Sequence, residues 1–457
     1  MVIKPYLPQL TDHDLTALVE QLETAGVRTV LGSVVDHAGV GRAKQVPVGR
    51  AAQFHRVGLG ASPTWNVFCI DNTIAFTPTL GVVGDLRLRA DLVAHRLLGD
   101  GLAWAPAEFF GQDGEPSALC PRGLLRRAQG AVEARGLTAR VGCELELVLT
   151  LPDGSPLPHR QWSAYGLGAA LGQEAFLSDL VRASDEVGLP LEQLHAEYGD
   201  NQFELSLRPA PPLQAVDDLV LARVVVGRVA RHHGMAVSLS PQPFVDGAGN
   251  GAHQHFSLHR DGRPLLSGGS GPHGLTTEGA AAVAGLVGGL PEMLGVFAGS
   301  LLSGYRLQPD HWSGSFACWG LENREAAVRL CAATRGSPHG ASLEVKCIDP
   351  SANAYVATAV ILGLALDGLT RAAALPSEVT GRPGDQTPAE MNASSTVALA
   401  SDQVTALDLL EKSEQAQRLL GAPILEALLA VRRHEVRTYA GTDPREVAAR
   451  FRLAWST

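Results

Sequence analysis

Polar and apolar residues alternate with two different periods along the chain. Residues 11–26 repeat apolar side chains at helical spacing, and Thr11 is placed to cap the first turn of a helix. Similar patterns predict further helices at 123–135, 173–187, 214–234, 275–297, 351–373 and 402–434. Residues 376–396 lack this period and are rich in Pro, Gly and Asp, so we predict a loop there.

The N-terminal region carries strand patterns instead. Val27 to Val35 and Ala43 to Val48 are typical of strands, and the turn residues between them predict a hairpin. Residues 60–118 hold short β-like runs broken by Gly and Pro, and a helical pattern begins near Pro121. We therefore predict an α+β protein with two domains, 1–118 and 119–457.

Short segments of the second region alternate strictly between polar and apolar residues. A period of two places alternate side chains on one face of a strand, so the polar residues share a face and the apolar ones build a core. The candidate ligands on these polar faces, together with one glutamate beside them, are Glu144, Glu146, Glu197, Glu204, His253 and Glu344. Crowded carboxylates repel one another and are costly to bury without a positive charge between them. The pattern therefore predicts a site for two divalent cations.

Two further motifs accompany these ligands. A glycine-rich stretch, 247–252, leads directly into His253. Arg324 and Arg329 are five residues apart, so they do not share a helical face and suit a loop and an adjoining strand. The planar fork of arginine fits phosphate oxygens, and metal-bound carboxylates beside arginines are typical of phosphoryl transfer. Taken alone, the arginines could equally form a surface ion-pair cluster with Glu322 and Glu325.

Composition narrows the classes of function. The net charge of −10 argues against a nucleic-acid-binding surface. The six cysteines show no zinc-type spacing, which predicts reduced thiols in a reducing compartment. No apolar run of about 18 residues is free of charges and glycine clusters, and no signal peptide is evident. We expect a cytoplasmic protein that does not contact a membrane.

The motifs together resemble the glutamine synthetase family over nearly the whole chain. The hairpin with Asp36 and Gly39 is similar to the family's N-terminal β-grasp domain, residues 84–88 to its Gly-Asp-x-x-Leu segment, and residues 121–125 to the helix that opens its catalytic domain. The resemblance implies a catalytic domain with a curved antiparallel sheet surrounded by helices. It also implies hexameric rings, with a dodecamer expected, in which Asp36 completes a neighbour's active site.

The resemblance also implies a role for each motif residue. One Mg²⁺ or Mn²⁺ would be held by Glu146, Glu197 and Glu204, and the other by Glu144, His253 and Glu344. ATP would contact His255, Ser257 and Arg329. The transferred phosphate would be gripped by Arg324 and Arg329. Glutamate would be bound near Gly249 by Arg306, and the amine near Asp36, Tyr165 and Glu197, with Asp36 or Glu197 accepting its proton. In the family reaction, ATP phosphorylates the γ-carboxylate of glutamate and an amine attacks the γ-glutamyl phosphate.

The chain departs from the family pattern where the substrates bind. Trp312 occupies the position of the flap glutamate that helps to deprotonate ammonium, and an indole offers an apolar wall that attracts cations. Ala248 stands in place of an asparagine, and Lys346 stands in place of an arginine, so the way in which glutamate is held stays open. The loop at 376–396 lacks the family's regulatory tyrosine.

These departures resemble the branch that ligates glutamate to larger amines, and most of all its actinobacterial polyamine-type members. The predicted function is an ATP-dependent glutamate–amine ligase with a polyamine acceptor. The alternatives are a glutamine synthetase that uses ammonia, a γ-glutamylethanolamide or alkylamide synthetase, and a ligase-inactive regulatory homologue. The complete set of metal ligands argues against the inactive homologue.

Overall fold

The structure is a computed structural model that describes residues 7–8, 10–159, 161–336 and 339–457. The N-terminal part begins with α1 (Asp12–Thr24), for which Thr11 and Asp14 form a capping box. The later elements of this part are β1 (Thr29–Val35), β2 (Gly41–Pro47), α2 (Ala51–Arg56), β3 (Leu59–Ala61), β4 (Leu86–Ala90), β5 (Arg96–Gly99) and β6 (Leu102–Phe110). The strands pair in the order β2-β1-β6-β4-β3, with β5 beside β6, and α1 and α2 cover an apolar core against them. The predicted hairpin is confirmed as the antiparallel pair β1–β2.

The second part is built on a ten-stranded sheet. Its strands are β7 (Leu137–Thr150), β8 (Leu191–Ala196), β9 (Gln202–Ala210), β10 (Ala236–Ser238), β11 (Gln254–Arg260), β12 (Arg263–Pro264), β13 (Phe316–Leu321), β14 (Ala326–Cys331), β15 (Ser342–Val345) and β16 (Val397–Ala398). The strand order is β16-β13-β14-β15-β11-β7-β9-β8, with β10 on β7 and β12 on β11. The described strand pairs of this sheet are antiparallel except β13 and β14, which run parallel.

Helices surround this sheet. They are α3 (Pro121–Glu133), α4 (Leu167–Gly172), α5 (Glu174–Val187), α6 (Pro212–His232), α7 (Thr277–Phe297), α8 (Ser303–Arg306), α9 (Ala354–Arg371), α10 (Pro388–Ser394), α11 (Gln403–Lys412), α12 (Glu414–Leu420), α13 (Ala422–Thr438) and α14 (Pro444–Phe451). By length and hydropathy α7 and α9 could cross a membrane, but 78% and 72% of their apolar windows are buried inside the protein. Both therefore serve as core helices here.

Two sequence predictions of secondary structure are wrong in part. The single helix predicted at 402–434 is broken into α11, α12 and α13, because Ser413 caps α12 and Gly421 has a positive φ of 76°. The predicted loop at 376–396 contains the short helix α10, whose start is fixed by a capping box of Thr387 and Glu390. In both places, local capping rather than hydrophobic period decides where a helix begins or ends.

A buried ion network joins the N-terminal sheet to the helices of the second part. The guanidinium of Arg122, on α3, donates to Glu108 on β6 at 2.5 Å and to Asp91 at 2.9 Å. It also donates to both carboxylate oxygens of Asp217 on α6, at 2.9 and 2.8 Å. The hydroxyl of Tyr355, on α9, donates to Asp217 at 2.8 Å. Arg122 thus links its own helix α3 to β6, to α6 and to the segment that carries Asp91.

Candidate active site

Strand register brings the predicted ligands to one face of the large sheet. Glu146 on β7 lies opposite Glu204 on β9, and Glu144 donates its backbone N–H to the carbonyl of His253 at 3.0 Å. On the other face of β7, Cys143, Leu145 and Leu147 are buried in the core, as the alternation predicted. The polar face of the sheet therefore collects side chains that are distant in sequence.

Three of these side chains form one compact group. The ligand atoms of Glu144, His253 and Glu344 all lie within 4.8 Å of one another. His253 Nδ1 lies 3.2 Å from a carboxylate oxygen of Glu144 and 3.5 Å from one of Glu344. These are the three residues for which the sequence predicted a shared cation.

The second predicted set is arranged differently. Glu204 belongs to two groups, one with Glu146 and His253 and one with Glu197 and His195, so the described residues do not gather Glu146, Glu197 and Glu204 into a single cluster. The register of β8 on β9 places His195 opposite Glu204 and explains the difference. Sequence reasoning missed His195, although its position two residues before Glu197 is the period-two spacing that would have found it.

The charges in this cluster are not balanced around Glu204. Burial and the repulsion of Glu144, Glu146, Glu197 and Glu344 raise the pKa of Glu204 to about 10. Burial would also raise the pKa of Glu344, but the charges of Lys346, His255 and His253 outweigh it and lower that pKa to about 2. Glu344 thus lies among cationic side chains that balance its charge, whereas Glu204 lies mainly among other carboxylates.

Two of the predicted phosphate-binding residues, His255 and Arg329, lie beside Glu144 and Glu344. His255 Nε2 lies 3.1 Å from Glu144, and burial is outweighed by contacts with Cys331 and Glu144 that raise the pKa of His255 well above its ordinary value. Ser257 follows two residues later on the same face of β11. Arg329 on β14 donates to Glu344 at 3.0 Å. Arg324 lies in the turn before β14 and is exposed, so the structure gives the predicted arrangement of a loop and an adjoining strand.

Arg306 reaches the cluster from α8. Its Nη2 lies 3.0 Å from His253 Nε2 and donates to the carbonyl of Lys346 at 3.1 Å. Its Nη1 is buried and has no hydrogen-bond partner among the described residues. A Cβ on Gly249 would lie 2.7 Å from the Cβ of Arg306, and one on Gly251 would lie 2.4 Å from His253 Nε2. The glycine-rich stretch is therefore required for the close approach of the backbone to these side chains.

Lys346 does not present a free ammonium group. Its Nζ lies 3.2 Å from Glu344, and the residue is buried. Gly314, in the segment that carries Trp312, lies against the side chain of Lys346, because a Cβ at Gly314 would be 2.7 Å from the Cβ of Lys346. The predicted role of Lys346 in holding glutamate is not supported by this contact, since its charge is already used to balance Glu344.

Aromatic residues lie at the outer edge of the site. Trp312 is 54% exposed and has a positive φ of 51°. Its backbone N–H donates to the carboxylate of Glu325 at 3.0 Å. Tyr165 stacks on His195 with ring centroids 6.2 Å apart, and its hydroxyl bonds to Glu197. Burial would raise the pKa of Glu197, but bonds from His195, from the backbone of Tyr198 and from Tyr165 lower it.

Asp36 is not brought to this cluster within the chain. Its carboxylate is buried in the β1–β2 turn, where it accepts from the N–H groups of Ala38 and Val40 and from Arg42 at 2.8 Å. Asn353, which caps α9, donates to the carbonyl of Asp36 at 3.1 Å. Both carboxylate oxygens therefore hold the turn of their own chain, and the prediction that Asp36 completes a neighbour's active site stays a prediction.

Comparison with known proteins gives a consistent result. Residues 118–449 match the glutamine synthetase catalytic domain. The chain is 37% identical over 445 residues to the gamma-glutamylpolyamine synthetase of Streptomyces coelicolor, and the match covers 96% of each. It is 32% identical over 263 residues to the glutamine synthetase of Pyrococcus horikoshii, which is 57% of this chain and 58% of that relative.

Solved structures agree. A glutamine synthase homologue superposes with a TM-score of 0.84 at 30% identity, over 94% of this chain and 99% of that chain. A complex of GmaS with ADP has a TM-score of 0.81 at 23% identity, over 94% of this chain and 97% of that one, and shares the fold. The predicted α+β fold with its large catalytic sheet is confirmed.

Proposed function

Because the chain belongs to the glutamine synthetase family, whose members are ATP-dependent ligases, we propose that it joins the γ-carboxylate of glutamate to a polyamine. The observation that carries the proposal is the compact group of Glu144, His253 and Glu344 in a chain whose Trp312 stands at the position of the family's flap carboxylate. The match to a gamma-glutamylpolyamine synthetase over 96% of the chain supports the same acceptor.

The donor set supports a pair of divalent cations. Carboxylate oxygens with one imidazole suit Mg²⁺ or Mn²⁺. The raised pKa of Glu204, which burial and four neighbouring carboxylates cause, is the sign of a cation-binding position. The proposed ligands are Glu144, His253 and Glu344 for one cation and Glu146, Glu197 and Glu204 for the other, with His195 beside Glu204. Cations held by these residues would supply positive charge against the negative charge that develops on the phosphate.

The chain's own cations would grip the two anionic substrates. His255, Ser257 and Arg329 would contact ATP, and Arg324, which is exposed in its turn, would close on the transferred phosphate. The buried, unpartnered Nη1 of Arg306 would donate to glutamate, since a buried guanidinium nitrogen without an acceptor is costly. Burial of the resulting γ-glutamyl phosphate excludes water, which would hydrolyse it.

Glu197 is the proposed proton acceptor for the amine. Its pKa is lowered despite burial, because His195, the N–H of Tyr198 and the hydroxyl of Tyr165 bond to its carboxylate. An ionised carboxylate beside an aromatic ring can hold an ammonium group and then take its proton as the nitrogen attacks. Glu197 can take this role within the chain, and Asp36 of a neighbouring subunit is the other acceptor that the resemblance implies.

Ammonia is the second candidate acceptor. The contact of Tyr165 with Glu197 favours it, because the resemblance places both residues at the ammonium site. ADP release with glutamate, ATP and a panel of amines separates the two candidates. We expect spermine or putrescine, or failing that ethanolamine, to exceed ammonia at least tenfold in kcat/KM. A preference for ammonia over every amine would make the chain a glutamine synthetase with an unusual flap, and no ADP release with any acceptor would favour the ligase-inactive homologue.

Assembly and compartment remain proposals that rest on the resemblance and on composition. We infer hexameric rings, a dodecamer in all, with active sites between subunits, and a cytoplasmic location. Mass photometry of the purified protein tests the assembly. A stable and active monomer would contradict the ring proposal.

A further inference from the structure

A four-residue loop follows Glu197 and forms one wall of the amine side. It connects β8 to β9 and is closed by the N–H of Glu197, which donates to the carbonyl of Gln202 at 2.8 Å. Gln202 is fixed by bonds to Gly249 at 2.8 Å and to Asn250 at 3.0 Å. Two residues of this loop face outward: Tyr198 is 67% exposed, and the side chain of Asp200 is 74% exposed. The base of the loop is therefore rigid while its charged and aromatic groups are open.

A second segment, residues 152–159 and 161–166, contacts this loop. The ring N–H of Trp162 donates to the carbonyl of Glu197 at 3.2 Å, and its ring packs edge-on against Phe203 at 5.6 Å. Tyr165 contacts the carboxylate of Glu197 from the same loop. His159 Nε2 lies 3.4 Å from Asp200. The two loops thus meet on both sides of Glu197.

The charged and aromatic groups of these two segments differ in exposure. The side chain of Glu197 is 13% exposed, Tyr165 and Tyr198 are 54% and 67% exposed, and the side chain of Asp200 is 74% exposed. Among the described residues, the ion-pair partner of Asp200 is a histidine, not a lysine or an arginine. A carboxylate, an aromatic layer and a second carboxylate in a row match a ligand with two positive charges joined by an apolar stem.

We propose that Tyr198 and Asp200 form a subsite for the second, non-reacting nitrogen of a diamine or polyamine. This rests on the proposed function and adds a specificity-determining residue to it. Glu197 and Asp200 are three residues apart, so their Cα atoms lie at most about 11 Å apart even in an extended chain. Two carboxylates on so short a segment can contact the two nitrogens of one diamine. A monoamine of the same length would occupy the inner part and leave Asp200 unused.

The alternative is that Asp200 only pairs with His159 and so holds the two segments together. The pair is long at 3.4 Å and largely exposed on the Asp200 side. Exposed pairs of this kind contribute little to stability. Replacement of Asp200 should therefore leave the fold intact, so that a change in kinetics reports on ligand binding.

The test compares putrescine with n-butylamine in the Asp200→Asn variant. We expect kcat/KM for putrescine to fall about tenfold, equivalent to about 1.4 kcal/mol, through a higher KM, while the value for n-butylamine changes less than about twofold. Glu186→Gln is the matched control, because it removes one exposed carboxylate on α5 and should leave both amines unchanged. Tyr198→Leu should weaken putrescine, and Tyr198→Phe should retain it, since a phenyl ring still attracts a cation.

The outcomes separate the subsite from the proposed function. Equal losses with both amines, or no loss with either, would overturn the subsite. If the wild-type enzyme uses only ammonia, the proposed function fails, and the subsite is then judged by inhibition. In that case putrescine must inhibit the ammonia reaction with an inhibition constant that Asp200→Asn raises about tenfold. Absence of that shift overturns the subsite as well.

Discussion

Two buried groups of carboxylates in this chain differ in how their charge is balanced. Around Arg122, the carboxylates of Asp91, Glu108 and Asp217 all accept hydrogen bonds from one guanidinium, and Arg126 adds a second bond to Glu108 at 2.6 Å. Burial would lower the pKa of Arg122, but Asp217, Glu108 and Asp91 outweigh it and raise that pKa well above its ordinary value. The negative charge of these carboxylates is therefore balanced by arginines of the same group.

The cluster around Glu204 is the opposite case. Five carboxylates converge there, and among the described residues the ring of His195 lies 3.8 Å from the carboxylate of Glu204. The pKa of Glu204 rises to about 10 because burial and repulsion outweigh the available positive charge. The comparison indicates that an internally balanced group holds the fold together, whereas an unbalanced one at the same depth is kept for a ligand.

The largest effect is expected when the central cation is removed from the group around Arg122. Arg122→Met should lower the free energy of unfolding by about 3–5 kcal/mol, because three buried carboxylates lose their common partner. Urea unfolding of the variant measures this. Arg182→Met, which removes an exposed pair on α5, is the control and should change stability by less than about 0.5 kcal/mol. A loss below about 1 kcal/mol at Arg122 would show that the network does not hold the two parts together.

Removing a ligand from the second group should act mainly on turnover. Glu146→Ala, and Glu344→Ala in parallel, should lower kcat by roughly 10²–10³-fold or more, the usual cost of losing a main electrostatic stabiliser. The fold should persist in Glu146→Ala, since the change relieves repulsion among the remaining carboxylates, whereas Glu344→Ala also removes the partner of the buried Lys346 and should lower stability as well. ADP release and circular dichroism together measure the two effects. Retention of more than about a tenth of the wild-type rate in either variant would contradict the two-cation assignment.

Stability should depend on pH in a way that a divalent cation removes. The folded-state pKa of Glu204, about 10, lies above its ordinary value of 4.5, so the folded protein binds the extra proton in this range. The contribution of this group to stability is complete below its ordinary pKa and is lost as pH rises through the folded value. The metal-free protein should therefore melt at lower temperature as pH increases between these two values.

Addition of Mg²⁺ or Mn²⁺ at about a hundred times its dissociation constant should stabilise the protein by about 2.7 kcal/mol. Thermal melts across this pH range, with and without the cation, measure both effects. Glu204→Gln is the matched variant and should flatten the pH dependence of the metal-free protein. Melting that is independent of pH in the metal-free wild type would contradict the charge imbalance.

Much of the site could be predicted from period-two alternation. The faces of β7 and β9 follow directly from the sequence, because a strand places alternate residues on opposite sides. The resemblance to the family added the expected role of each motif residue. His195 was missed although it stands two residues before Glu197, and its place opposite Glu204 follows from the register of β8 on β9, which the sequence alone does not give.

Other features could not be predicted because they depend on contacts distant in sequence. The partners of Arg122 lie 14, 31 and 95 residues away, so the network exists only in the folded chain. Asp36 was assigned to the amine because the hairpin turn has the right residues. Its burial follows from the packing of that turn against Asn353, which is 317 residues away. Breaks at Ser413 and Gly421 depend on local capping that apolar spacing does not reveal.

The smallest expected effect comes from adding a carboxylate at Trp312, in the segment that packs against Lys346. Trp312→Glu restores the type of residue that the family uses in the flap, at a position that is 54% exposed and so tolerates the charge. A carboxylate there would attract ammonium and accept its proton, while the indole surface offered to a longer amine would be lost. We expect the ratio of kcat/KM for polyamine over ammonia to fall about tenfold, which corresponds to about 1.4 kcal/mol of differential transition-state binding. Trp312→Phe, which keeps an aromatic face, is the control and should leave the ratio within about twofold of wild type. If Trp312→Glu leaves the ratio unchanged, Trp312 does not contact the acceptor, and the preference must be set deeper, near Glu197.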